Sequence, residues 1–247
     1  MIGGSSVLSR PGGNSPPDRQ APGGQTFFSS APREDHGRSR TNTTTRIRAL
    51  SRSGELEERA RRAHEVLRNC VVCPPQECRV NRIEDEEGFC RTGLLPRVSS
   101  YSSHFGEEPP LVGRNGSGTI FFAGCNMRCE FCQNYEISQC GGVGYAVSCE
   151  DLAGIMLRLQ ERGCHNINFV SPSHVVPQIL RAVALAASQG LTVPLVYNSG
   201  GYDSVETLRL LDGVIDIYMP DAKYGRDDVA LELSHAPPVT PAACRLQ

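Results

Sequence analysis

Three cysteines, Cys125, Cys129 and Cys132, stand at x3 and x2 spacing inside the stretch GSGTIFFAGCNMRCEFCQN, Gly116 to Asn134. Soft iron–sulfur centres select thiolate ligands, and a cubane of four irons needs four outer ligands. Three thiolates from one short loop leave one iron open. An open position separates catalytic metal sites from closed structural ones, and it can take a substrate or cofactor. Two blander readings compete: a zinc site, and three unrelated buried thiols. Structural zinc takes four protein ligands and no histidine stands near this triad, which argues against zinc.

The elements that must hold the triad are legible around it. Thr119 to Ala123 is an apolar, β-branched and aromatic run that reads as a buried strand, so the cysteines lie on a loop leaving a strand end. Downstream, SCEDLAGIMLRLQERG predicts a helix with Ser148 as N-cap, Asp151 completing a capping-box-like start and Gly163 as its stop. Asn166 to Pro172 is a second strand. VVPQILRAVALAASQG is a helix ending at Gly190, and a third strand begins at Thr192. SVETLRLLDG closes a short helix at Gly213, and Val214 to Asp221 is a fourth strand. Strands alternating with helices predict an α/β fold of parallel βα units, whose sites lie at the strand C-terminal ends. Between Arg91 and Gly116 the pattern has no clear period. There EEPPLVG reads as a loop or edge segment, and Tyr101, His104, Glu107 and Glu108 as ordinary surface residues, with a substrate-facing role as the alternative.

Upstream, residues 1–53 are rich in Gly, Pro, Ser and Arg and carry few apolar side chains, which predicts a disordered tail. Its excess of arginine also suits an organelle transit peptide or a basic arm. Residues 54–112 form a second region. It opens with ELEERARRAHEVLRN, a helix of about four turns with Ala60, Ala63, Val66 and Leu67 on one stripe and His64 on a solvated face. Cys70, Cys73, Cys78 and Cys90 follow, in the pattern C-x2-C-x4-C-x11-C. Four thiols in a loop-rich stretch too small for its own core predict a closed metal site, holding either zinc or a second iron–sulfur cluster. Residues 113–247 form the third region, the strand–helix core.

C-x3-C-x2-C after a first strand, with Phe131 before the last cysteine, resembles the radical S-adenosylmethionine (radical SAM) superfamily. The wider text, HFGEEPPLVG, CQNYEIS, SPSHVVPQIL, YNSGGYDS and YMPDAKY, resembles its pyruvate formate-lyase activating enzyme-like branch, from about Glu55 to Pro237. The resemblance implies a partial parallel (β/α) barrel, a [4Fe-4S] cluster on Cys125, Cys129 and Cys132, and S-adenosylmethionine as cofactor. It also implies reductive cleavage of that cofactor to a deoxyadenosyl radical that abstracts hydrogen from substrate, a backbone glycine of a partner enzyme being one such target. Phe131, Ser173, His174, Asn198, Asp221 and Lys223 fall at positions that hold the cofactor in relatives. The Gly-Gly-Glu-like segment common after the second strand is absent, so Ser173 and His174 carry over by position alone. Asp221 and Lys223 match an Asp-x-Lys near the methionyl carboxylate. A protein or small-molecule substrate and a reductant such as flavodoxin or ferredoxin are the implied partners. Related cores have six strands where four are readable here, which makes the expected barrel incomplete and C-terminally truncated.

Composition sets the remaining bounds. A net charge of −2 leaves no nucleic-acid footprint, and no apolar run reaches the roughly 20 residues that span a bilayer. Eleven cysteines without a secretory signal read as metal ligands and free thiols, and hence as a cytoplasmic chain.

Overall fold

The computed structural model describes residues 43–75 and 77–238. Its strands are β1 (Arg97–His104), β2 (Ser117–Phe122), β3 (Tyr145–Ala146), β4 (Ile167–Val170), β5 (Leu195–Ser199) and β6 (Ile217–Pro220). The helices are α1 (Thr43–Arg52), α2 (Glu55–Glu65), α3 (Pro109–Val112), α4 (Tyr135–Ser138), α5 (Cys149–Glu161), α6 (Val176–Ser188), α7 (Val205–Leu210) and α8 (Asp227–Ser234). The six strands build one sheet in the order β3-β1-β2-β4-β5-β6.

The four runs read as strands are β2, β4, β5 and β6, all parallel, with Ile120, Phe169, Tyr197 and Tyr218 in one register row. Side chains alternate across the sheet. Ile120, Phe122, Ile167, Phe169, Leu195 and Tyr197 point to one side and join the core with Leu152, Met156, Ile179 and Val183 of α5 and α6. Each such side chain contributes about 1.5–3 kcal/mol by leaving water. On the opposite face, beside the buried Val196, several buried side chains are polar: Ser117, Thr119, Asn166 and Asn168. Ser117 Oγ donates to Asn166 Oδ1 at 2.6 Å, and Asn166 Nδ2 donates to Leu111 O at 2.8 Å. α5 starts as its sequence predicts. Ser148 Oγ accepts from Asp151 N–H at 2.9 Å while Asp151 accepts from Ser148 N–H, a reciprocal cap.

Two expectations are corrected. The aperiodic stretch before β2 contains β1, which pairs antiparallel with β2 over His104 to Val98, with a bulge between Val98 and Ser100. RVSSYSSH lacks an apolar alternation because only Val98 is fully buried and serines fill positions on both faces. The predicted disordered tail also ends too late, since Thr43–Arg52 is helical. There Ile47 is buried, 3% exposed, and Leu50 packs beside it on the same core, so two apolar residues at i, i+3 spacing suffice once α2 and α6 are there to receive them. Residues 1–42 of the predicted tail lie outside the described residues. No helix among the described residues is long and apolar enough to cross a membrane.

Candidate metal and cofactor site

At the C-terminal ends of the parallel strands lies a cavity of about 750 Å³. The triad enters it from the loop after β2. Gly124 makes the turn with φ +81°, a conformation that favours glycine, and Cys125 follows directly. Cys129 is buried, Cys125 and Cys132 are half-buried, and all three line the cavity. The loop is held from several sides: Asn126 Nδ2 donates to Tyr202 O at 2.7 Å, Gln139 Nε2 to Cys129 O at 2.9 Å, and Arg128 N–H to Ser234 O at 2.8 Å at the end of α8. Burial pushes the Cys125 thiol up to about 11, the neighbouring Cys129 and Cys132 add to this, and a hydrogen bond from the Met127 backbone opposes it. A metal taken up here therefore displaces protons from the thiols.

Three thiols facing one cavity, with no imidazole or carboxylate among the loop's cavity-lining side chains, fit an iron–sulfur cluster. Among the described residues no group of three or more His, Cys, Asp or Glu already stands in a metal-ligating arrangement, so the loop would close further on its metal. The cavity's size falls in the range of small-molecule sites, leaving room for a cofactor beside the triad.

The other strand ends supply the rest of the wall. Ser173, Asn198, Asp221, Lys223 and Phe131 all line the cavity. Lys223 Nζ lies 2.5 Å from Asp221 Oδ2 and 6.0 Å from the centroid of the Phe131 ring. Burial lowers the Lys223 pKa, but the hydrogen bond and charge of Asp221 outweigh it and the net shift is upward. His174 is the exception. It is 1% exposed and does not line the cavity; its Nε2 lies 3.0 Å from Ala123 O. A carbonyl can only accept, so Nε2 carries the proton and Nδ1 is left buried without a partner. Burial first, then the nearby Arg82 charge, pushes this imidazole down to about 3.

Several lining residues carried no sequence signal strong enough to select them. His104 and Glu107, read as ordinary surface, face the cavity, and His104 stands edge-on to Phe121 with ring centroids 5.8 Å apart. Recognising β1 as the partner of β2 would have placed them. Desolvation, followed by the neighbouring Glu108, raises the Glu107 pKa. Ser171, just after β4, lines the cavity in the left-handed region at φ 56°, a strained state for a non-glycine residue. Upstream, Cys70, Cys73, Cys78 and Cys90 come together around a second, much smaller cavity. Burial, then the proximity of Cys90, Cys70 and Cys78, drives the Cys73 thiol upward.

Comparison with known proteins matches residues 119–239 to the radical SAM superfamily. An uncharacterized protein of Methanocaldococcus jannaschii is 36% identical over 181 residues, which is 70% of this chain and 50% of the relative. The chain thus spans about half the length of the curated relative it matches. The matched region holds the triad, most of β2, all of β4, β5 and β6, and the cavity-lining residues from Phe121 to Lys223, and over residues 119–239 the chain is similar to the radical SAM superfamily.

Proposed function

We propose that this chain belongs to an iron–sulfur enzyme that cleaves S-adenosylmethionine reductively. The observation that carries this reading is the triad of Cys125, Cys129 and Cys132 at the end of β2, opening into a cavity whose far wall is built from the ends of β5 and β6. The three thiolates would hold a [4Fe-4S] cluster with one iron open. When bound, cluster and cofactor would together supply one-electron reductive chemistry at the sulfonium and, through it, hydrogen abstraction from a substrate.

The chain's own residues bind, orient and shield. Lys223, steered by Asp221, offers a point charge for a carboxylate; Asn198 and Ser173 offer hydrogen bonds; Phe131 closes one side with an aromatic face. His174 works at one remove, holding Ala123 O and with it the root of the triad loop. By textual resemblance the branch is that of the pyruvate formate-lyase activating enzymes, with a peptide glycine as one substrate and flavodoxin or ferredoxin as electron donor. Cys70, Cys73, Cys78 and Cys90 lie outside this chemistry as a second metal site.

Anaerobically purified protein should contain iron and sulfide, change its electron paramagnetic resonance spectrum on addition of S-adenosylmethionine, and release deoxyadenosine under reduction. A non-catalytic metal-stabilised module would bind metal without cleaving the cofactor. Cleavage retained after replacing all three triad cysteines by Ala would overturn the reading.

A further inference from the structure

The upstream thiols are gathered by their own backbone. Cys70 N–H bonds to Val80 O at 3.0 Å and Arg79 N–H to Cys70 O at 3.2 Å, closing the loop that carries Cys73 and Cys78. Gly88 passes so near that a Cβ there would lie 3.1 Å from Cys78 Sγ, and Cys90 follows two residues later. The four thiols line a cavity of about 20 Å³. That is roughly the room one water needs, enough for a single ion and too little for a cubane; no three of these thiols yet stand in a metal-ligating arrangement, so they would draw inward on the ion.

Arg82 lines the same cavity and is 1% exposed. Its Nε donates to Gly93 O at 2.9 Å, and its Nη1 donates to His174 O at 2.8 Å and lies 3.8 Å from Cys70 Sγ. Its Nη2 is buried with no partner. A buried cation is costly unless negative charge lies beside it, and thiolates on a divalent ion would supply that charge where neutral thiols do not.

The segment is also fastened to the triad loop. A Cβ on Gly124 would meet Cys90 O at 2.3 Å, so the two backbones touch directly before Cys125. Asn126 lines both cavities. Arg128 donates to Phe89 O and covers the Phe89 ring at 4.3 Å. Arg82 holds His174 O, and His174 in turn holds Ala123 O.

We propose that Cys70, Cys73, Cys78 and Cys90 bind one zinc-type divalent ion in a closed tetrathiolate site, and that this ion braces the loop carrying Cys125, Cys129 and Cys132. This rests on the upstream thiols being a metal site and is independent of whether the cofactor is cleaved. The test uses the full chain with Cys125, Cys129 and Cys132 replaced by Ala. Purified anaerobically, it should hold about one zinc per chain and no iron or sulfide, and Co²⁺ exchanged for zinc should give the absorption of a tetrahedral tetrathiolate. Iron with sulfide in this variant would mean a second cluster, and no metal at all would mean ordinary thiols; either overturns the proposal. For the bracing, the unaltered chain is stripped of metal and reconstituted anaerobically with iron and sulfide, with and without added zinc. Cluster iron should be at least twofold lower without zinc. Equal loading in both would overturn the brace while leaving the zinc site standing.

Discussion

At Lys223 burial and the Asp221 carboxylate pull in opposite directions, and the carboxylate wins, so the ammonium stays charged where it faces the cavity. Lys223→Gln removes that charge and leaves the Asp221 carboxylate to repel an anionic group. S-adenosylmethionine binding should weaken about tenfold, roughly 1.4 kcal/mol, with cluster content unchanged. Titrating the cofactor-induced spectral change checks it; an unaltered affinity would reduce the pair to a surface ion pair of little worth. His174 offers a prediction in pH. Its imidazole falls from 6.5 to about 3 in the folded chain through burial and the charges of Arg82 and Arg128, against a hydrogen bond to Ala123 O that favours the protonated ring. Above pH 6.5 both states are neutral and the contribution is fully present. As pH falls toward 3 the unfolded chain takes a proton that the folded chain refuses, and about 1.4 kcal/mol is lost per pH unit. Urea unfolding of the cluster-free triad variant should therefore lose about 2 kcal/mol more between pH 7 and 5 than the same protein with His174→Gln.

At the scale of elements, the sequence was most readable where burial is two-sided. The parallel strands are short apolar runs between helices, and the Ser148 and Asp151 pair marks the start of α5 by a mechanism confined to four residues. β1 escaped because serines fill the positions where an alternation would be sought, and α1 escaped because Ile47 and Leu50 draw their value from α2 and α6. The same limit applies to Gly124. Its glycine could be read as the end of a strand, but its packing against a carbonyl from the upstream cysteine segment could not. Gly124→Ala has both a φ of +81° to strain and Cys90 O in its way. The left-handed backbone alone costs about 1–3 kcal/mol, and the clash adds to it. The variant should melt several degrees lower and hold less cluster iron after reconstitution, measured by calorimetry and iron assay. An unshifted melting temperature would show that the two backbones part without cost.

Across the whole molecule, the site could be inferred only as far as its ligands lie close in sequence. The triad spans eight residues and announces itself. The cavity wall joins residues from His104 to Lys223, and their meeting depends on strand order, which no local pattern encodes. That order also leaves β6 at one end of the sheet. There Ile217 and Tyr218 are 37% and 43% exposed, whereas β4 and β5 bury their large apolar residues almost completely. Among the described residues no further strand pairs with β6, so unpaired backbone groups lie beside apolar side chains, a combination that templates association. Native edges are commonly guarded by lysine, which is costly to bring against another strand. Ile217→Lys should therefore lower concentration-dependent light scattering on warming and leave iron content unchanged, because residue 217 lies outside the cavity lining. Scattering that rises identically in both proteins would move the source of association away from β6.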